Sequence, residues 1–431
     1  MTGAVLREAM SRHQMGQIAE AKRLYGEVLR EDPKQLDALC YLALLHTRQS
    51  EKPEADKLAS TALAQDLPTP QLNYNLGVVL QMLERHGDAL ACFNKALALK
   101  PGYFEALVHK GISHFAQQHY AGSLSAYEAA LEIRPQEAGL WLNKGNAHLW
   151  LMQGEDALEC YGKALNINPK FAEGHEAMAN ALLGLGRYKE AIASYDSALQ
   201  LKTGTAGLWC NRGIALLRLK AREDALVSFD NALRLDPHFA QALFQRANAL
   251  SELQRYSEAL ASLDAAIARD SHIADFHVSR GAAFAGLAQR EEALACYEQA
   301  LALNPDCAEA YVNRGTLRFE AGDYRGAAAD YERALAIYPS FPYIRGQLAH
   351  YRMYCGDWRE LENDRTQIDA GLIAAQPVIL PFTATTILTS PAAQARCARL
   401  WAKREWPENP PPLWNGEAYR HERIRIAYLS A

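Results

Sequence analysis

Residues 138–171 read AGLWLNKGNAHLWLMQGEDALECYGKALNINPKF, and this stretch decides the fold. Trp141, Lys144, Gly145 and His148 stand at i, i+3, i+4 and i+7, one stripe of a helix. Gln153-Gly154 breaks the stripe, and Glu155 to Asn166 resumes helical spacing with Ala157, Tyr161 and Ala164. Asn168-Pro169 stops this second helix, because proline lacks an amide donor and pushes its predecessor out of the α region. The stretch therefore predicts two paired helices. Its small residues let the backbones approach, and its aromatic fills the remaining wedge.

The pattern returns every 34 residues without insertion. Stepping from Pro33 reaches Leu67, Pro101, Pro135, Pro169, Thr203, Pro237, Ser271, Pro305 and Pro339. Stepping from Gly77 reaches Gly111, Gly145, Ala179, Gly213, Ala247, Gly281 and Gly315. Alanines recur from Ala21 and again from Ala62, and a further phase collects Tyr25, Phe93, Tyr127, Tyr161, Tyr195, Phe229, Tyr297 and Tyr331. Where proline is missing, Thr203 and Ser271 are expected to cap the next helix through their hydroxyls. The second unit is looser, with Ala59 in the aromatic place and Pro68 and Pro70 around a slipped turn.

A small–Ala–aromatic–Ala–Pro signature at this period resembles that of tetratricopeptide repeats, over residues 2–341. The resemblance implies an all-α fold. It is a right-handed TPR superhelix (α-solenoid) of ten 34-residue helix-turn-helix repeats plus a degenerate C-terminal helical cap. In such folds the first helix of each unit lines a concave groove.

Composition narrows the function. The 431 residues carry 45 basic and 50 acidic side chains, a net charge of −5, with no basic block. That balance speaks against neutralising many phosphates, so no nucleic acid is expected. No apolar run is long enough to span a bilayer, and residues 1–8 (MTGAVLRE) do not read as a basic region followed by an apolar stretch, so the expectation is a cytoplasmic protein with no membrane partner. The eight cysteines include no CxxC pair. Cys92, Cys160 and Cys296 share one phase, and two repeats of separation is about 20 Å, beyond disulfide reach. They read as buried thiols. His109, His114 and His119 are five apart, which scatters them around a helix. HExxH, G-x-S-x-G and Walker glycine loops are absent, so no catalytic residue, metal or cofactor is expected in the repeats.

The groove positions are more informative. Two places before the small residue stand Asn75, His109, Asn143, Ala177, Asn211, Gln245, Ser279 and Asn313. One place after it stand Asn146, Asn180 and Asn248. An amide offers both a donor and an acceptor, so such a row suits an extended polypeptide held by its backbone. The same row would arise if asparagine were simply favoured before Arg/Lys-Gly and faced water. The neighbouring Lys110, Lys144, Arg212, Arg246, Arg280 and Arg314 read as structural, their stems packed and their heads paired locally.

After Phe341 the register decays. Residues 342–375 read as a degenerate helical pair, followed by a loop punctuated by Pro377, Pro381 and Pro391. Ser390-Pro391 should open a helix running to about Trp406, so 342–406 reads as degenerate repeat and capping helix. Residues 407–423 read as a Pro-rich linker, and 424–431 as the first strand of a domain missing from the chain.

The segment Leu348 to Trp358 (LAHYRMYCGDW), the Pro-Phe…Ser-Pro loop at 381–391 and RIRIAYLS at 423–430 resemble the repeat-to-catalytic junction of protein O-GlcNAc transferases. Bacterial members and SPINDLY-type fucosyltransferases share this layout. The resemblance implies a polypeptide-binding arm that recognises protein substrates for O-linked glycosylation, inactive alone because its catalytic lobes are elsewhere. UDP-GlcNAc is implied only for the full-length enzyme. The family's asparagine ladder carries over to Asn75, Asn143, Asn211 and Asn313, while His109, Ala177, Gln245 and Ser279 depart from it. The alternative is a non-enzymatic scaffold that assembles partner proteins. The expected partners are proteins or peptides in the concave groove, and a homodimer is admitted.

Overall fold

The computed structural model describes residues 2–201 and 204–405. Every regular element among them is an α-helix, and the chain falls into two compact units, Met1–Asp236 and Pro237–Ala431. In the first unit, α1 (Thr2–Gln14) pairs with α2 (Ile18–Glu31), and α3 (Leu36–Arg48) with α4 (Lys52–Leu63). The pairs α5 (Pro70–Met82) with α6 (His86–Leu99) and α7 (Phe104–Ala116) with α8 (Tyr120–Ile133) follow. Then come α9 (Ala138–Trp150) with α10 (Gly154–Ile167), α11 (Ala172–Gly184) with α12 (Tyr188–Leu201), and α13 (Ala206–Arg218) with α14 (Arg222–Leu235). The all-α solenoid expected from the period is the fold found.

A three-residue turn reverses the chain within each pair. Its middle residue is left-handed: Ser50, Glu84, Gln118, Met152, Lys220, Gln254 and Ala288 have φ between 59 and 64°. Gly16, Gly186 and Gly322 occupy the same phase without steric cost. At the others the strain is offset by a helix cap. The Met152 and Gln153 N–H groups donate to the Leu149 and His148 carbonyls, each at 2.9 Å.

Packing explains the small residue of the first helix. A Cβ placed on Gly145 would stand 2.5 Å from the Tyr161 ring, and Gly213 meets Phe229 at the same distance. The room freed by glycine is thus filled by the aromatic of the second helix, and Tyr161, Tyr195, Phe93 and Phe229 are fully buried. In the second repeat Ala59 cannot fill that wedge. There α5 packs against α3 more than against α4, and Leu72, Leu76 and Val79 share a core with Leu39 and Ala43.

Within this unit each second helix packs on the next first helix. Successive first helices also touch, as α9 does with α11 and α11 with α13. No successive second helices make comparable contact among the described residues. The first helices therefore form the crowded inner layer of the unit.

The second unit continues with α15 (Ala240–Glu252) and α16 (Tyr256–Arg269), α17 (Ala274–Gly286) and α18 (Arg290–Leu303), and α19 (Ala308–Glu320) and α20 (Tyr324–Ile337). Beyond them the pairing loosens. The turn between α21 (Ile344–Tyr354) and α22 (Leu361–Ile373) is longer, residues 355–360. A core of Ile368, Ile379, Ile387 and Cys397 joins these helices to α23 (Pro381–Ile387) and α24 (Pro391–Glu405).

Several expectations change in detail. Ser271 does not cap α17, whose N-cap is Ile273 with no side-chain bond. Thr203 lies outside the described residues, and Thr205 Oγ1 caps α13 by accepting the Leu208 N–H at 3.2 Å. The loop after α22 contains a short helix, α23, because a proline at its start needs no amide partner there. Ser390 does cap α24, accepting the Ala393 N–H at 3.4 Å. Residue 406, the linker at 407–423 and the strand at 424–431 lie outside the described residues. The eight cysteines are unpaired, and all but Cys355 are buried.

Candidate functional site

The inner layer brings the amide positions onto the first helices, and their hydrogen bonds sort them into three kinds. Asn75 is buried: its Oδ1 accepts from Gln71 Nε2 at 2.9 Å, and its Nδ2 has no partner among the described residues. His109 is half-buried, with Nδ1 2.7 Å from Gln81 Oε1. Gln81 also donates to the His109 carbonyl at 3.1 Å and to Ser113 Oγ at 2.8 Å. Burial holds the His109 pKa below its ordinary value, so this ring is neutral at pH 7.

The second kind is latched. The Tyr161 hydroxyl donates to Asn146 Oδ1 at 2.7 Å, and the Tyr195 hydroxyl to Asn180 Oδ1 at 2.6 Å. Asn211 Nδ2 also donates to Asn180 Oδ1, at 3.1 Å, tying neighbouring repeats together. Asn146 and Asn180 are therefore left with Nδ2 donors to offer, and Asn211 with its Oδ1 acceptor.

The third kind is open. Asn143, Gln245, Asn248 and Asn313 are half-buried and make no side-chain hydrogen bond among the described residues. Asn248 owes its freedom to Leu263, which stands where a tyrosine would reach it. Ala177 and Ser279 add no amide.

The tyrosine latches were missed from the sequence, although a signal exists. Tyr161 and Tyr195 accompany Asn146 and Asn180, and Tyr331 bonds Thr316 at 2.8 Å, whereas Phe93 and Phe229 accompany Val78 and Ile214. Gln81 was also missed, since it lies a full turn beyond the positions that carry the row.

Most of the basic phase is consumed internally, and Lys110 alone of the six makes no ion pair or side-chain hydrogen bond among the described residues. Lys144 pairs with Glu128 at 2.9 Å, Arg212 with Asp196 at 2.7 Å and Arg280 with Asp264 at 2.8 Å. Each of these bonds runs back to the second helix of the preceding repeat. Arg212 and Arg246 also donate to Ser228 and Ser262, both at 2.7 Å, within their own repeats. Arg314 grips the buried Asp330 at 2.6 Å. No cluster able to hold a metal ion occurs among the described residues, and no described helix is long and apolar enough to cross a membrane.

Tetratricopeptide-repeat family models match residues 6–57, 70–103, 108–154, 138–171, 172–204, 210–274 and 281–352, together most of the chain. The chain belongs to the tetratricopeptide-repeat family. No curated protein matches it. Among solved structures, this repeat protein is similar to YrrB, described as a TPR protein with an unusual peptide-binding site. The likeness is 27% identity over 43% of this chain and 96% of YrrB, with a TM-score of 0.40. A tetratricopeptide-repeat protein from Parabacteroides merdae is 19% identical over 58% of this chain and 98% of its own, with a TM-score of 0.47. Yeast Tom70 is 13% identical over 94% of this chain and 97% of its own, with a TM-score of 0.45.

Proposed function

We propose that this tetratricopeptide-repeat protein is a polypeptide-binding arm. Within a unit, an extended segment lies along that unit's inner layer of first helices and pairs its peptide groups with the amides there. The observation that carries the reading is the set of half-buried amides without a hydrogen-bond partner among the described residues, Asn143, Gln245, Asn248 and Asn313. A polar group left unpaired in a partly dry groove is costly, and a bound backbone would satisfy both its donor and its acceptor. The latched Asn146 and Asn180 add donors of fixed direction, suited to peptide carbonyls. With most of the basic row engaged, recognition runs through amides more than through charge.

The finer proposal is that the held polypeptide is a substrate for O-linked glycosylation. Transfer from UDP-GlcNAc or a similar donor would be performed by lobes outside the described residues. The resemblance at 348–358, 381–391 and 423–430 supports that step, and the arm would work in the cytoplasm. The test is capture of polypeptides from a lysate of the native source on the purified chain, followed by mass spectrometry. A bound set carrying O-linked N-acetylhexosamine or deoxyhexose supports the arm. A bound set without it turns the reading to a non-enzymatic scaffold, and an empty groove overturns both.

A further inference from the structure

The amide row stops short of the first two repeats. At the phase of Asn75, Asn143 and Asn211 the second repeat carries Tyr41, and at the phase of Asn146 and Asn180 the first two repeats carry Met10 and Leu44. These three side chains, with His13 and Arg48, line a cavity of about 360 Å³ on the first helices α1 and α3. The cavity is no defect of the core. The wedge of the first repeat is filled, because Tyr25 is fully buried, and Met10 and Tyr41 pack against that core while remaining partly exposed.

The walls have a defined shape. Tyr41 is stacked on the buried Tyr25 ring, with centroids 5.9 Å apart and 17° between the planes. His13 stands edge-on to Tyr41, at 5.8 Å and 89°. Two rings at a right angle make a corner, which a third ring can enter offset over one and edge-on to the other. Met10 adds a thioether, which favours aromatic neighbours. Apart from Arg48 the walls are uncharged at pH 7. No acidic residue among those described lines them, and burial together with the Arg48 charge holds the His13 pKa below its ordinary value. Arg48 is exposed in the last turn of α3, where the helix end accounts for a cation, so it calls for no anion. Its charge does disfavour a lysine or arginine beside it.

We infer that this cavity, given the polypeptide-binding reading of the groove, takes an aromatic side chain of the held segment. Amides pair with any peptide group, so by themselves they fix neither sequence nor register. A ring seated between Tyr41 and His13 fixes both, at one end of the row in the first unit. Phenylalanine is preferred to leucine through its ring contacts. Lysine is rejected by Arg48 and by the cost of burying its charge against apolar walls.

The probes are peptides of about twenty residues, roughly 70 Å when extended, made of serine, asparagine and glycine with one variable central position. They are titrated calorimetrically into the full chain. Phenylalanine at that position should bind about thirtyfold more tightly than alanine, leucine about sixfold more tightly, and lysine no more tightly. The His13 ring resonances should shift with the phenylalanine peptide and not with the alanine one. Leu44→Trp and Met10→Trp each fill the cavity from a different helix, and each folded variant should erase the difference between phenylalanine and alanine. Equal affinity for those two peptides overturns the cavity and leaves the amide row standing. A leucine peptide as tight as the phenylalanine one, or a gain that survives both variants, overturns the aromatic assignment here. Binding of the phenylalanine peptide alone supports the cavity and overturns the row, and no binding of any peptide overturns both.

Discussion

The repeats at 138–201 and the segment at 344–405 are both packed around small and apolar residues, yet they hold together by different logic. In the repeats the contacts are local in phase: Gly145 meets Tyr161, Lys144 reaches back to Glu128, and Tyr161 reaches back to Asn146 in its own repeat. In the C-terminal segment the space beside Gly346, three residues before the expected phase, is filled by Ile379 from a loop beyond the paired helix. Its buried Asp364 is held by Arg352 across helices at 2.8 Å. A repeat lets one residue's role be deduced from its phase, and the loss of phase removes that deduction.

The largest expected effect tests this contrast directly. Tyr161→Ala empties a wedge whose ring is 0% exposed and should cost about 4 kcal/mol. Ile379→Ala, at 1% exposed, should cost about 3 kcal/mol. Urea denaturation gives the magnitudes, and hydrogen exchange gives the place. Protection should fall in α9 to α11 for the tyrosine variant and in α21 to α24 for the isoleucine variant. If both changes loosened the same helices, the two regions would not be separate in their energetics.

Next is the groove. Replacing Asn143, Asn180 and Asn211 together by Ala removes three amides at about 1 kcal/mol per net hydrogen bond, on the order of a hundredfold in polypeptide affinity. Helicity by circular dichroism should not change. Ile379→Ala should leave the same affinity intact, and a loss there would mean that the groove depends on the C-terminal packing.

Much of this is legible in the sequence. The period placed the wedge glycines, the buried aromatics and the amide positions, because side-chain direction in a helix pair follows from phase alone. The period could not tell an open amide from a latched one, since that depends on a hydroxyl fifteen residues later. Nor could it place the left-handed turn residues: Met152 and Lys220 lack the glycine that usually marks such a site. In the segment at 344–405 the helical pair and the Ser390 cap could be read. Helix α23 could not, nor could the left-handed backbone of Tyr343 at the start of α21 (φ 65°), whose N–H is held by the Pro377 carbonyl, as both are set by long-range packing.

A smaller effect comes from histidines. Burial lowers the pKa of His13, His109 and His114 in the first unit, and of His350 in the second. Each binds its proton less readily when folded than when unfolded, so the unfolded chain takes up more protons as pH falls below 6.5. Stability is therefore full above that value and declines on acidification towards the folded pKa values. Melting temperature against pH should fall below 6.5, and His109→Gln should flatten part of the slope. A slope left unchanged would mean that His109 accepts its proton in the folded groove.

The smallest change bears on what distinguishes repeats from one another. Tyr195→Phe keeps the ring in its wedge and removes one hydroxyl, at about 1 kcal/mol. It frees Asn180 Oδ1 from one of its two donors, so the side-chain amide resonances of Asn180 should shift and exchange faster with solvent. The reciprocal change is available in the second unit. Leu263→Tyr would place a hydroxyl within reach of Asn248, and alanine at 247 need not forbid the ring, because Tyr195 already packs fully buried in a repeat whose small residue is Ala179. If Leu263→Tyr slows exchange of the Asn248 amide while Tyr195→Phe speeds that of Asn180, the hydroxyl alone decides whether a groove amide is fixed or free. If Asn180 is unmoved by the loss, its orientation is set instead by Asn211, and the ladder is ordered from repeat to repeat rather than within each one.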